Sequence, residues 1–272
     1  MSNFLQRTIT GAIFVVLVIG SILWNHYAFS FVFLIFTILG VTEFYGVISK
    51  TGSKPLGFSG IIISALLFCI TSYIAISNSN YHFILILLPL LFIEFIIELF
   101  RKHKTPFTNI AFTFLGIFYV ALPLSLLNFL TNPAFEHDKY IKGILIGFFL
   151  LIWSNDTFAY LTGMKFGKHK LFERISPKKT WEGSIGGFVF SLLTAYILSL
   201  FVIELSLLQW LGMAIIIVIF GSLGDLTESL LKRSLDLKDS GSILPGHGGI
   251  LDRFDAVLLA APFAFVYLLL VM

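Results

Sequence analysis

One unit recurs along the whole sequence: a run of about twenty apolar residues closed by a short polar break. Crossing the hydrocarbon core of a bilayer takes roughly 20 residues of helix. Nine segments qualify, near residues 8 to 24, 28 to 48, 57 to 77, 83 to 100, 108 to 130, 143 to 162, 184 to 203, 207 to 224 and 255 to 272. The expected fold is therefore all-α, a polytopic integral membrane bundle of about nine transmembrane helices. Composition agrees: 12% of residues are charged and 57% hydrophobic, whereas soluble domains carry about 25% charged residues. With a mean hydropathy of +0.95, lipid is the solvent that suits this chain.

The first apolar run follows Arg7 but lacks a small-x-small cleavage site, and a second run comes at once, so it reads as a retained helix and not as a signal peptide. Composition changes near residue 143, with twelve of the fifteen acidic residues after residue 135. The chain is accordingly read as two parts: residues 1–142 with spans one to five, and residues 143–272 with spans six to nine and two polar loops. The single cysteine, Cys69, excludes an intramolecular disulfide, a zinc cluster and an iron-sulfur site.

A net charge of +3 would invite a nucleic-acid partner if the cations formed a patch. They lie instead at the membrane edges, and no nucleic-acid partner is expected. Placing the N-terminus in the cytoplasm puts sixteen of the eighteen Lys and Arg residues on that side and only Lys139 and Lys142 opposite. The positive-inside rule thus fixes the orientation and predicts a cell-membrane protein whose functional face is cytoplasmic.

Ionisable groups inside membrane segments cost about 2.5 to 3.5 kcal/mol each on insertion scales, so each needs a partner or a role. Here they share the inner side. Glu43 falls near the inner end of span two, Glu94 and Glu98 near that of span four, and Asp156 in the inner half of span six. Glu98 reads as the partner of Arg101 or Lys102 at the membrane surface. Glu43 reads equally as an internal hydrogen-bonding group or a functional one. Asn155 and Asp156, adjacent in an apolar run, read as substrate-binding.

Two polar loops carry the chemistry. The first has six cations between Lys165 and Lys179, followed directly by the start of a span. In its Ser176-Pro-Lys178-Lys179-Thr180-Trp-Glu182-Gly183 stretch the lysines and hydroxyls offer donors to phosphate, and Glu182 with Gly183 opens the next helix, whose amides favour an anion. In the second loop, Leu223, Leu226 and Leu230 continue an apolar face while Lys232 and Arg233 project, so residues 225 to 234 are expected to lie along the inner interface. Gly241, Pro245 and Gly246 to Gly249 then permit sharp turns and close approach of backbone to a ligand.

Asp252 and Asp255, three apart on one helix face, are brought to Asp225 by this loop. Three acids together call for a cation. Magnesium fits, because it takes one or two carboxylates and completes its shell with water and substrate phosphate oxygens. A capping role for Asp252 and Asp255, paired with Arg253, would need neither Asp225 nor the glycines. His247, flanked by glycine, reads as a phosphate ligand or a turn-ordering residue, not as a metal ligand.

Ser229 to Asp255 resembles the signature of the phosphatidate cytidylyltransferases, also called CDP-diacylglycerol synthases. It reads Ser-x-apolar-Lys-Arg, four residues, Lys238-Asp239, then Pro-Gly-His247-Gly248-Gly249-apolar-x-Asp252-Arg253-x-Asp255. Ser176 to Gly183 and Asn155-Asp156 are similar to the neighbouring motifs of that family. The resemblance implies that CTP and phosphatidate give CDP-diacylglycerol and pyrophosphate in phospholipid biosynthesis, with membrane lipids as surroundings and a homodimer as an expected assembly. It makes Asp225, Asp252, Asp255, Lys232 and Arg233 the catalytic set, with the three acids on magnesium. It adds Lys238, Asp239, His247, Gly248, Gly249 and Arg253 to the substrate-binding residues. A phosphate monoester is largely deprotonated at neutral pH, its second pKa being about 6, so direct displacement without a strong general base is expected. Competing readings are a CTP-dependent polyprenol or phytol kinase and, from another class, a secondary transporter. The transporter predicts midplane charges and paired repeats, and the sequence has neither.

Overall fold

A computed structural model describes residues 3–77, 81–133, 140–237, 240–241 and 248–272. Among the described residues, eight helical stretches are long and apolar enough to cross a membrane, and the first helix adds a shorter apolar stretch, Thr8–Trp24. The chain divides into two compact units. One comprises Met1–Tyr140 and Leu237–Phe254, the other Ile141–Asp236 and Asp255–Met272. The chain therefore passes between them at 140/141, 236/237 and 254/255, the last inside a helix.

The first unit holds α1 (Asn3–Trp24), α2 (His26–Ser49), α3 (Gly57–Ser77), α4 (Leu87–Arg101) behind a 3-10 segment Tyr81–Ile86, α5 (Pro106–Gly116) and α6 (Leu122–Leu130). A π-helical turn, Ile117–Ala121, joins α5 to α6. Local chemistry sets the ends. Asn25 caps α2 by accepting from Ala28 N at 2.8 Å, Pro106 starts α5, and Lys102 stops α4 at φ 54°. Apolar packing supplies the core, with Phe254 meeting Phe36 at 5.3 Å and Phe14 at 5.5 Å between ring centroids. Tyr45 fills a slot left by Gly60 and Gly116, where a Cβ would overlap its ring, and donates to Thr113 O at 2.8 Å.

The second unit holds α7 (Lys142–Phe166), a two-stranded antiparallel hairpin of β1 (Lys170–Phe172) and β2 (Ser176–Thr180), then α8 (Trp181–Phe201), α9 (Leu207–Ser234) and most of α10 (Leu251–Val271). Helices α7 and α8 pack closely along Gly183 and Gly187, whose hydrogens face Ala159 and Asn155. A capping box of Ser206 and Gln209 opens α9.

Two expectations are corrected here. The first polar loop contains a β-hairpin inside an otherwise helical chain, with Lys170 opposite Thr180 and Phe172 opposite Ser176. Residues 225 to 234 do not form a separate segment lying along the interface, because α9 continues unbroken through Gly224 to Ser234. At 28 residues it is about 42 Å long, against a hydrocarbon core of about 30 Å. Gly224 is no breaker; it is where the backbone of α10 at Asp255 and Ala256 comes closest.

Candidate active site

The continuation of α9 puts Asp225, Glu228, Ser229 and Lys232 on one helix face, at spacings of three, four and seven. Lys232 forms an ion pair with Glu228 one turn back. Asp225 receives the Ser229 hydroxyl at 3.3 Å through one oxygen and the Lys179 ammonium at 2.6 Å through the other. The hairpin thereby delivers one of its two adjacent lysines to the acid, while Lys178 points away and is exposed. That division is what strand alternation requires.

Two further carboxylates face this group. Asp156 of α7, next to Asn155 whose amide donates to it at 3.3 Å, lies within electrostatic reach of Asp225 and Lys179. Asp255 of α10 lies within reach of Asp225, Glu228 and Asp156. The second unit thus gathers four carboxylates, contacted by the ammonium groups of Lys179 and Lys232. Asn155 is buried, and among the described residues its carbonyl oxygen has no hydrogen-bond partner.

Asp252 belongs to a different arrangement, in the first unit. Its Oδ2 accepts from Gly249 N at 2.7 Å and Ser240 N at 3.1 Å, and the Ser240 hydroxyl oxygen lies 3.0 Å from it. Gly248, at φ 81°, makes the turn that precedes the Gly249 amide. On its far side the Ser240 hydroxyl contacts Glu43 of α2, and Glu43 Oε2 accepts from Ile250 N at 2.7 Å. Asp225 and Asp255 are therefore brought together as the sequence suggested, whereas Asp252 turns to the loop that precedes α10.

The other sequence-selected residues fall as follows. Thr180 caps α8 by accepting from Gly183 N at 3.1 Å. Glu182 accepts from the amides of Lys168 at 3.0 Å and His169 at 3.2 Å, and from the His169 ring at 2.6 Å. Trp181 N donates to His169 O. Much of the α8 N-terminus is thus engaged in closing the hairpin. Ser176 is half-buried in β2, Arg233 is exposed at the end of α9, and Arg253 is exposed on α10. Lys238, Asp239 and His247 lie outside the described residues.

Glu98 is another correction. It pairs with Arg101 at 2.7 Å as expected, but it is buried, and its other oxygen accepts from Asn109 at 2.7 Å. Sequence reasoning did not select Ser240 or Glu228, and it left Glu43 equally an internal hydrogen-bonding group or a functional one. Glu228 had a signal, its spacing of three from Asp225, which the reading of residues 225 to 234 as an interfacial segment obscured.

A model of the cytidylyltransferase family matches residues 5–271 of this chain. The chain belongs to that family. Among curated relatives, the phosphatidate cytidylyltransferase of Staphylococcus saprophyticus is 42% identical over 163 residues, covering 59% of this chain and 60% of the relative. That of Staphylococcus haemolyticus is 41% identical over the same length. That of Staphylococcus aureus is 39% identical over 180 residues, 65% of each chain. The chain spans between 60% and 65% of the length of these relatives.

Family membership raises the question of a metal, and the donor chemistry of the second unit fits one. Asp156, Asp225, Glu228 and Asp255 outnumber the ammoniums that contact them, and all offer the hard oxygen ligands that magnesium prefers. Among the described residues, no three His, Cys, Asp or Glu side chains close into a cage. An open set of one or two carboxylates is what magnesium takes when substrate phosphates complete its shell.

Proposed function

We propose that the protein is a phosphatidate cytidylyltransferase, converting CTP and phosphatidate to CDP-diacylglycerol and pyrophosphate at the cytoplasmic face of a cell membrane. The observation that carries this reading is the meeting of the hairpin's Lys179 with Asp225 inside the acidic cluster of α7, α9 and α10. Cations beside an acid cluster suit a substrate made of phosphates that travels with a divalent metal.

Asp225 and Asp255 are the carboxylates that would hold magnesium, which when bound neutralises charge on the phosphoryl oxygens of a nucleoside triphosphate. Lys179 stands beside Asp225 and Lys232 beside Glu228, placed to hold triphosphate oxygens, and Lys178 and Arg233 offer exposed charge for the approach of an anion. Asn155 packs its carbonyl against Gly187 of α8 and directs its amide to Asp156, which fixes that acid beside the cluster. The phosphatidate headgroup is a monoester and already anionic at neutral pH, so its oxygen can attack the α-phosphorus without a strong general base. The bond to pyrophosphate breaks as the new one forms. A single in-line step inverts configuration at phosphorus.

The deciding experiment supplies purified protein with phosphatidate, magnesium and each of four nucleoside triphosphates, and measures pyrophosphate and lipid product together. Pyrophosphate and CDP-diacylglycerol from CTP are expected; release of CDP with a phosphorylated lipid alcohol as product would replace the reading with a lipid kinase. A chiral α-thio-CTP should give inversion, and net retention would contradict direct displacement. For the sidedness, Lys168→Cys in a Cys69→Ser background should be labelled only from the cytoplasm and Asp138→Cys only from the other side. Reversed labelling would remove the cytoplasmic entry of CTP.

A further inference from the structure

Glu43 sits on α2, in the half of the chain whose sequence carries none of the phosphate-handling motifs, yet its carboxylate is buried and bonded across about two hundred residues of chain. Oε2 accepts from Ile250 N at 2.7 Å, and Oε1 receives the Ser240 hydroxyl. That hydroxyl is also 3.0 Å from Asp252 Oδ2, which takes the amides of Gly249 and Ser240 as well. Asp252 is in the opening turn of α10, three residues and about 4.5 Å of rise before Asp255.

We propose that Glu43 is a positioning residue, which through Ser240 and Ile250 sets the start of α10 and so the placement of Asp255. The proposal rests on the cytidylyltransferase reading for its effect on turnover. Three features point to positioning over ordinary packing. First, no Lys or Arg contacts Glu43 among the described residues; the donors it meets come from the segment entering α10. Second, a carboxylate buried in a membrane helix is costly, and a leucine would fill the same space at lower cost. Third, Gly241 and Gly249 are shaped to it, since a Cβ at either would collide with the Glu43 carboxyl group. The close approach that these glycines permit is therefore to Glu43. Gly40, one turn earlier on α2, packs against Ile250 and Leu251, so α2 guides the same segment by contact as well.

The test uses the full chain in detergent with four variants: Glu43→Gln, Glu43→Leu, Ser240→Ala and Glu43→Leu with Ser240→Ala. A glutamine keeps an acceptor for Ile250 N, and its amide can donate to the Ser240 hydroxyl, leaving that hydroxyl's hydrogen for Asp252. Glu43→Gln should therefore keep kcat within a few-fold of wild type. Glu43→Leu should lower kcat by about 10²-fold, the scale of a small misplacement at a reacting centre, with KM for CTP little changed. Ser240→Ala should fall in the same direction, and the double variant should be no worse than Glu43→Leu alone.

Amide exchange supplies a readout that does not depend on turnover. Gly249 and Ile250 should exchange slowly in wild type and Glu43→Gln, and fast in Glu43→Leu and Ser240→Ala, with α3 unchanged. Wild-type kcat in Glu43→Leu, equal loss in Glu43→Gln and Glu43→Leu, or unaltered exchange at Gly249 and Ile250 would each overturn the proposal. If Glu43→Leu fails to insert, Ser240→Ala alone carries the same two expectations from the loop side. Should the wild type transfer no cytidylyl group, the functional reading fails while the exchange data still decide whether Glu43 holds this segment.

Discussion

The two units treat their carboxylates in opposite ways. In the first, each buried acid meets donors that the fold supplies: Glu43 has Ser240 and Ile250, Glu98 has Arg101 and Asn109, and Glu94 has the Ser59 hydroxyl at 2.8 Å. In the second, Asp156, Asp225, Glu228 and Asp255 lie within electrostatic reach of one another, with Lys179 on Asp225 and Lys232 on Glu228. Glu43 and Glu98 have both oxygens engaged, while Glu94 keeps one buried oxygen, Oε1, without a hydrogen-bond partner among the described residues. The carboxylates of the second unit outnumber the ammoniums that contact them, and under the proposed function a bound cation would make up the difference. Removing Glu94 or Glu98 should therefore damage the fold, removing Glu43 should reach the reaction only through the placement of α10, and removing an acid of the second unit should damage the reaction directly.

The sharpest separation is expected in the second unit. Asp255→Asn and Asp225→Asn should each lose activity by about 10²- to 10³-fold or more, the scale seen when a group stabilising transition-state charge is lost, yet stay inserted and monodisperse on gel filtration. Aggregation of both variants would move these acids into the structural class. A smaller effect of the opposite kind is expected at Glu98. Glu98→Ala leaves Arg101 and Asn109 without their acceptor and should cost about 1 to 3 kcal/mol, read as a lower midpoint of thermal unfolding with activity per folded molecule unchanged. An inactive but fully stable variant would erase the contrast. The smallest effect belongs to Glu182, which closes the hairpin at a half-exposed position. Glu182→Gln should speed amide exchange at Lys168 and His169 and change turnover only a few-fold; unchanged exchange there would mean the hairpin is held by other bonds.

How far the sequence could be read follows from the range of the interactions involved. The spans are legible because each is a continuous apolar run, and all nine correspond to helices or helix pairs of the structure. The Glu98–Arg101 pair is legible because it is local, three residues apart on one helix. Its burial is not, since that depends on Asn109 of α5. The span read over 207 to 224 ends where the apolar run does, and the continuation of α9 beyond it shows only in the structure, where α10 backbone lies against Gly224. The hairpin is three and five residues long, too short for alternation to announce it, and its register is fixed by Trp181 N on His169 O and by Glu182. Asp252 and Asp255 look equivalent in sequence. The rise of one helical turn separates them, and Ser240 and Gly249 claim the first.

The central claim, that the acids of the second unit await a cation while those of the first do not, is tested most directly by thermal unfolding of purified wild type and Asp255→Asn, each with and without magnesium. A ligand that binds only the folded state raises its stability, so magnesium should raise the midpoint of the wild type. Metal-free Asp255→Asn should melt at or above metal-free wild type, because one repelling charge is gone, and magnesium should shift it little. A metal-free variant that melts well below metal-free wild type, yet keeps the full magnesium shift, would contradict the account.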